Sequence, residues 1–337
     1  MLGIILMTAV NAVVPIIALI GLGYILRRVG FLSVDFIKVA NKLVFNICLP
    51  AMLFVNIYDI GSIGEVRWDM VLYCLVVLTL IFGLGWVLGR LFTKEESRRG
   101  VIWQCAFRSN FAIIGLPLAQ SLGGDAGAAV AAVLSAFTIP AYNVYSVIAL
   151  SAYTGKKKGA GAVVRSIITN PLTIAVMAGL VVLLLRAAQV ELLGSLVFSM
   201  ERDTLFLYKS LNNLKAIASP LALIVLGGQC EFSAVKGMLK EITAAVSARV
   251  VVAPLIALVG LTVLSTLGLV PCGNGEYAAA ISLFGSPVAV SSAIMANNMD
   301  NDGQLATQLV VWTSILSVGT IFLTVCVMMG LGFLTVS

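Results

Sequence analysis

Long apolar runs separated by short polar stretches succeed one another along the whole chain. A helix that crosses the hydrocarbon core of a bilayer needs roughly 20 mainly apolar residues. On that criterion the pattern predicts about ten helices. They lie at 5–26, 36–57, 70–92, 101–122 and 127–153 in the first half, and at 166–187, 208–230, 241–269, 277–297 and 304–334 in the second. Two of these runs are interrupted alike. The fourth contains Ser109-Asn110 and then Gly115-Leu116-Pro117; Gly115-x-Pro117 and Ser121 recur 170 positions later as Gly285-x-Pro287 and Ser291. Pro50 and Pro220 share that offset. Proline has no N–H to donate, and glycine costs a helix about 1 kcal/mol relative to alanine. In lipid, the backbone groups freed by such a break are tolerated only where protein or a watery cavity satisfies them.

Five spans per half is an odd number, so the second half is expected to be inverted relative to the first. The predicted fold is an all-α polytopic membrane protein of ten transmembrane helices. Residues 1–153 form one five-helix repeat, 154–165 a short cytoplasmic linker around Lys156-Lys157-Lys158, and 166–337 the second, inverted repeat. Helices four and nine are expected to be broken and to cross near mid-membrane. Such paired interruptions in two halves point to the binding site of a transporter. Pro117 and Pro287 would open the outgoing half-helices, where a missing N–H costs nothing, and Gly115 and Gly285 would let the unwound segments cross closely.

Composition agrees with this class: 60% of residues are hydrophobic and 11% charged, against roughly 25% charged in soluble domains. The first apolar run has no basic segment before it, so it reads as a first span rather than a cleaved signal peptide. The basic residues are unevenly distributed. Arg27, Arg28, Lys38, Lys42, Arg90, Lys94, Arg98, Arg99, Lys156, Lys157, Lys158, Arg165, Lys236 and Lys240 fall on one side, and only Arg67, Arg186, Arg202 and Lys209 on the other. The bias places the first set in the cytoplasm and both termini outside. The acidic loop at Asp300 and Asp302 departs from the pattern. The chain has no histidine, which removes histidine-dependent catalysis and ligation. Its six cysteines are scattered without CxxC spacing, so neither a zinc site nor a disulfide framework is expected, and no cofactor is indicated.

Ionisable residues within spans are expensive and functional by default. None of the predicted spans holds an acid deep inside, whereas Arg108, Lys215 and Arg249 fall within spans. A site lined by positive groups and broken-helix N-termini favours an anion. The competing reading has Arg108 and Arg249 snorkelling to the cytoplasmic face. Without deep carboxylates the commonest proton relay is disfavoured. Sodium could still be held by backbone carbonyls with Ser109, Ser121, Ser286, Ser291 and Asn297, so the choice between Na⁺ and H⁺ stays open. Most of these hydroxyls could equally be interhelical glue; Asn110, an amide beside the break, is costly unless satisfied.

Asn110-x4-Gly115-x-Pro117 resembles the auxin efflux carrier family, which includes plant PIN carriers and bacterial malate and malonate permeases. Gly23-Tyr24-Ile25-Leu26-Arg27-Arg28, Asn41-Lys42-Leu43-Val44-Phe45 with Leu49-Pro50, Ser219-Pro220-Leu221-Ala222-Leu223 and Ser286-Pro287-Val288-Ala289 add to the likeness. The resemblance implies two inverted repeats, a scaffold and a core moving against each other, often a homodimer, and substrate contact at Asn110 and around Pro117 and Pro287. The combined expectation is a multi-pass carrier of small carboxylate anions in the cytoplasmic membrane, working by alternating access, with no enzymatic activity and no nucleic-acid partner. An anion channel and a ligand-binding membrane sensor are the alternatives.

Overall fold

The computed structural model describes residues 2–59, 67–153, 165, 168–195, 197–230 and 232–335. Among these residues every regular element is helical, and the single β-bridge joins Ser109 to Val288. The helices are α1 (Leu2–Arg28), α2 (Val34–Tyr58), α3 (Trp68–Phe92), α4 (Glu96–Phe107), α5 (Phe111–Ser151) and α6 (Pro171–Leu193). They continue with α7 (Met200–Asp203), α8 (Leu205–Gln229), α9 (Leu239–Thr266), α10 (Asn274–Gly285), α11 (Val290–Asn298) and α12 (Gly303–Gly330). Among the described residues, α2, α3, α5, α6, α8, α9 and α12 are long and apolar enough to cross a membrane. The linker expected at 154–165 lies outside the described residues except for Arg165.

Local sequence explains several helix ends. The Ser33 hydroxyl accepts the Phe36 amide at the start of α2, and Asn170 accepts the Leu172 amide just ahead of Pro171 in α6. Asp302 caps α12 by accepting the Leu305 amide at 2.9 Å. Each supplies an oxygen to a first-turn N–H that has no helical partner. The two faces of a helix such as α3 are both apolar. Met70, Cys74, Val77 and Ile81 are buried while Leu72, Val76 and Leu80 are exposed, as suits a helix with protein on one side and lipid on the other.

The helices α2, α5 and α9 share one irregularity. Each contains a π turn, at Val44–Cys48, Phe111–Gly115 and Ala248–Val252, and each turn ends two residues before a proline: Pro50, Pro117 and Pro254. The wider turn passes hydrogen bonds from i→i−4 to i→i−5, which loosens the helix where a proline ring would crowd the preceding carbonyls.

The helix α5 runs for 41 residues, about 60 Å at 1.5 Å per residue and twice the hydrocarbon thickness. Gly124, at φ 59° and ψ −149°, breaks it into two; a positive φ here is open to glycine and costly to other residues. By contrast α4, α10 and α11 have 12, 12 and 9 residues, each too short to cross alone. They are short because the chain leaves the helix at 108–110 and at 286–289.

The packing places these breaks between two apolar clusters. One joins α2, α6 and α8 to α11 and the first half of α12; the other joins α3, α5, α9 and α10. The α1–α8 pair is held close by glycine. A Cβ at Gly23 would strike the Ile224 carbonyl, and one at Gly227 the Ile20 carbonyl. Backbones that approach this closely are the usual device for packing helices in lipid, where the hydrophobic effect gives no help.

Two clusters of charged residues outside this core are ion-paired. At one end Arg98 binds Glu95, Glu241 and Asp302 at 3.0, 3.2 and 2.9 Å. Asp302, from the loop that breaks the positive-charge pattern, therefore sits against one of the basic residues of that pattern. At the other end Arg67 binds Asp69 and Glu276; hydrogen bonding to the Asp69 carboxylate pushes its pKa above the usual arginine value.

Candidate functional site

The two breaks meet. The Asn110 amide donates to the Pro287 carbonyl at 2.8 Å, and the Ala289 amide to the Arg108 carbonyl at 3.3 Å, forming the bridge between Ser109 and Val288. The Val288 amide donates to Thr313 Oγ1 at 3.1 Å, so α12 braces the crossing. In this way the backbone groups that the breaks release find partners within protein, as an apolar surrounding requires.

The outgoing half-helices start elsewhere than the prolines suggest. The Asn110 carbonyl accepts the amides of Ile113 and Ile114 at 3.3 and 2.9 Å, so the helix resumes at Phe111, well before Pro117. On the other side Pro287 lies inside the non-helical segment and the helix resumes at Val290. Proline at 117 is accommodated by the π turn before it rather than by a helix start, and its ring is exposed, away from the crossing.

A cavity of about 50 Å³ opens at the crossing, space for a group of roughly carboxylate or water size. Its floor is Arg108, Ser109 and Asn110 from one break with Ala289, Val290 and Ser291 from the other. Ile139, Tyr142 and Asn143 of α5 also line it, as do Leu49, Met52 and Leu53 of α2 with Ser219 and Ala222 of α8.

Arg108 is the charged group of this cavity and is only 4% exposed. Its guanidinium donates to Asn143 Oδ1 and Ser291 Oγ, both at 2.9 Å, and to the Met295 sulfur. All three acceptors are neutral, and among the described residues no carboxylate pairs with it. A buried charge without a counterion carries a large desolvation cost, which hydrogen bonds to neutral groups offset only in part. Asn110, also 4% exposed, has its side-chain Nδ2 unpartnered, and the Ser109 and Tyr142 hydroxyls face each other beside it. A positive charge and an unused N–H donor thus share one cavity with the N-termini of α5 and α11. Donors of this kind are chemically suited to an anionic group.

Arg249, read from sequence as a residue that could snorkel, is fully buried at 0% exposure. Its Nε donates to the Ser286 carbonyl at 2.9 Å and its Nη1 to the Phe107 carbonyl at 2.9 Å. Its Nη2 donates to the carbonyls of Leu283 and Phe284 at 3.1 and 3.0 Å. It stays inside because the broken ends of α4 and α10 offer it more acceptors than a single carboxylate could.

Several residues singled out from sequence lie away from the cavity. Lys215 pairs with Asp59 Oδ2 at 2.8 Å, near the C-terminal end of α2, where Tyr208 also donates to Asp59 at 3.0 Å. Ser121 and Asn297 are exposed, and the Asn297 amide donates to Gln229 and to the Ala293 carbonyl. Ser286 is buried, but its hydroxyl donates to the Ser282 carbonyl. Gly115 packs against the Ser282 carbonyl of α10, and a Cβ at Gly285 would meet only Ile321 at 3.4 Å, so neither glycine brings the two breaks together. Tyr142 and Asn143 belong to the cavity and were not anticipated, although Pro140-Ala141-Tyr142-Asn143 places an amide and a phenol within an apolar run, the same signal that marks Asn110.

A family model described as membrane transport protein matches residues 8–161 and 158–327. An uncharacterized transporter of Methanothermobacter thermautotrophicus is 23% identical over 315 residues, covering 93% of this chain and 96% of that protein. An uncharacterized transporter of Methanocaldococcus jannaschii is 22% identical over 227 residues, 66% of this chain and 68% of its own length. With broken helices, a buried cationic cavity and a family match that reaches from residue 8 to residue 327, the chain belongs to the membrane transport protein family, whose members are auxin efflux carrier-like.

Proposed function

We propose that the protein is a secondary transporter of small carboxylate anions that works by alternating access, on a scaffold of two inverted five-helix repeats whose fourth and ninth spans are broken at 108–110 and 286–289. The observation that carries the reading is the Arg108 guanidinium, buried with neutral partners only, beside the unpartnered Asn110 amide. A carboxylate would supply the missing counterion and take the free donor. Charge-assisted hydrogen bonds of this kind are worth about 1.5–3 kcal/mol each.

The cavity has room for the carboxylate group but not for a whole organic acid. Entry of the acid therefore requires the wall made by α2 and α8 to draw away from the crossing. The family expectation of a scaffold moving against a core is consistent with that division.

The test is thermal stabilisation of the purified protein by a panel of small carboxylates, followed by uptake into proteoliposomes. A ligand at 100 times its Kd adds about 2.7 kcal/mol to the folded state. Stabilisation by one carboxylate that is weakened at least tenfold in apparent affinity in Arg108→Gln, with saturable uptake and counter-transport, supports the proposal. Stabilisation by cations or neutral solutes only, or large unitary currents in place of saturable flux, rejects it.

A further inference from the structure

Arg249 lies on α9, outside the cavity, yet it is the largest fully buried side chain among the described residues. The four carbonyls it binds belong to the last residues of α4 and α10 and to the break that follows α10. Those are the acceptors that a helix leaves unsatisfied at its C-terminus. Each such end carries about half a negative elementary charge, and each N-terminus about half a positive one. At this crossing two C-termini and two N-termini converge within a few residues of one another, so their fields nearly cancel. Two helix ends of each sign, taken alone, give the crossing no preference for an anion.

We propose that Arg249 is a positioning residue that gives the crossing its sign. It absorbs the two negative ends, on the side away from the cavity, and leaves the positive ends of α5 and α11 together with Arg108 to face the ligand. The inference rests on the reading of the crossing as an anion site. A guanidinium suits this task because its fork of donors reaches carbonyls on two helices at once, which a compact ammonium cannot do. Arg249 sits in the π turn Ala248–Val252 ahead of Pro254, so the same irregularity that relieves the proline locates the side chain.

The experiment uses the full chain in proteoliposomes, with a carboxylate that the wild type takes up and the primary amide of that acid as a neutral competitor. Arg249→Met is expected to raise the KM of the acid at least tenfold while the inhibition constant of the amide stays within about threefold, and Arg249→Lys, which keeps the charge, to fall between. An unchanged KM, or acid and amide weakening in parallel as simple loosening of the site would cause, overturns the proposal. Arg108→Gln provides an arm that leaves the clamp intact: with Arg249 in place the acid must still outcompete its amide, and equal affinity overturns the proposal even where the Arg249 variants do not fold. A wild type that takes up no carboxylate at all instead removes the functional reading, and the electrostatic role of Arg249 falls with it.

Discussion

Asn110 combines two roles that its substitution can separate. Its backbone ties the breaks together through Pro287, while its side-chain Nδ2 has no partner. Asn110→Ala therefore keeps the bridge and removes only the free donor. Expression and thermal stability are expected to stay at wild-type level while kcat/KM for the carboxylate falls about tenfold or more, the value of one charge-assisted hydrogen bond. Normal uptake in that variant would exclude the amide from the site. Lys215 gives the opposite expectation. It forms a part-exposed ion pair with Asp59, with side-chain exposures of 31% and 32%, and such pairs are worth up to about 1 kcal/mol. Lys215→Ala is expected to leave the KM of the carboxylate within about twofold; a tenfold rise would return Lys215 to the binding site.

At the scale of helices, the glycines divide into those that space two elements and those that do not. Gly227 and Gly23 hold α1 against α8 through backbone contact, with the Ile20 and Ile224 carbonyls where a methyl group would go. Gly227→Ala must push these helices apart, and overpacking of this kind costs about 1–3 kcal/mol. A clear loss of thermal stability is expected, read by a fluorescence melt in detergent. Gly285→Ala is the contrast, since its methyl would only touch Ile321 at an ordinary distance. Its melting temperature should match the wild type, and a large loss there would mean that the last turn of α10 is held more tightly than its neighbours indicate. The proline turns belong to this scale too: the π turns at Val44–Cys48, Phe111–Gly115 and Ala248–Val252 let Pro50, Pro117 and Pro254 sit in helices that continue past them.

For the whole molecule, charge governs how the ends are closed and carries the expected orientation. Arg98 joins the start of α4 to Glu241 on α9 and to Asp302 before α12, with side-chain exposures of 16%, 11% and 15%. Removing the one cation leaves two part-buried carboxylates facing each other, and Arg98→Ala is expected to lower stability by about 1–3 kcal/mol, below the 3–5 kcal/mol of fully buried pairs. A melt unchanged from wild type would show that water already screens the cluster. The excess of Lys and Arg at this end also predicts its compartment. A cysteine at Lys94 should be labelled by an impermeant maleimide only from the cytoplasmic side, and one at Leu269 only from outside; the reverse pattern would invert the proposed topology.

Much of this architecture is legible without coordinates, because a bilayer leaves a chain few choices. Apolar runs of spanning length become helices since no other local structure satisfies their backbone in lipid, and the predicted segments at 70–92 and 208–230 coincide closely with α3 and α8. The interruptions around Asn110 and Pro287 mark broken helices for the same reason: a residue that cannot complete the hydrogen-bond ladder shows itself in its type. Sequence also exposes Arg108 and Asn110, since a charge and an amide stand out in an apolar run. Partners are another matter, because they depend on which surfaces meet. Lys215 and Arg249 look alike in sequence, each a lone cation within a span, yet the end of α2 supplies Asp59 to one and the ends of α4 and α10 supply four carbonyls to the other. Only the packing of helices far apart in the chain decides that Arg249 stays inside, that Asn143 and Tyr142 close the cavity, and that the breaks bond to each other. Local sequence determined where the helices fail; the tertiary fold decided what fills the gaps.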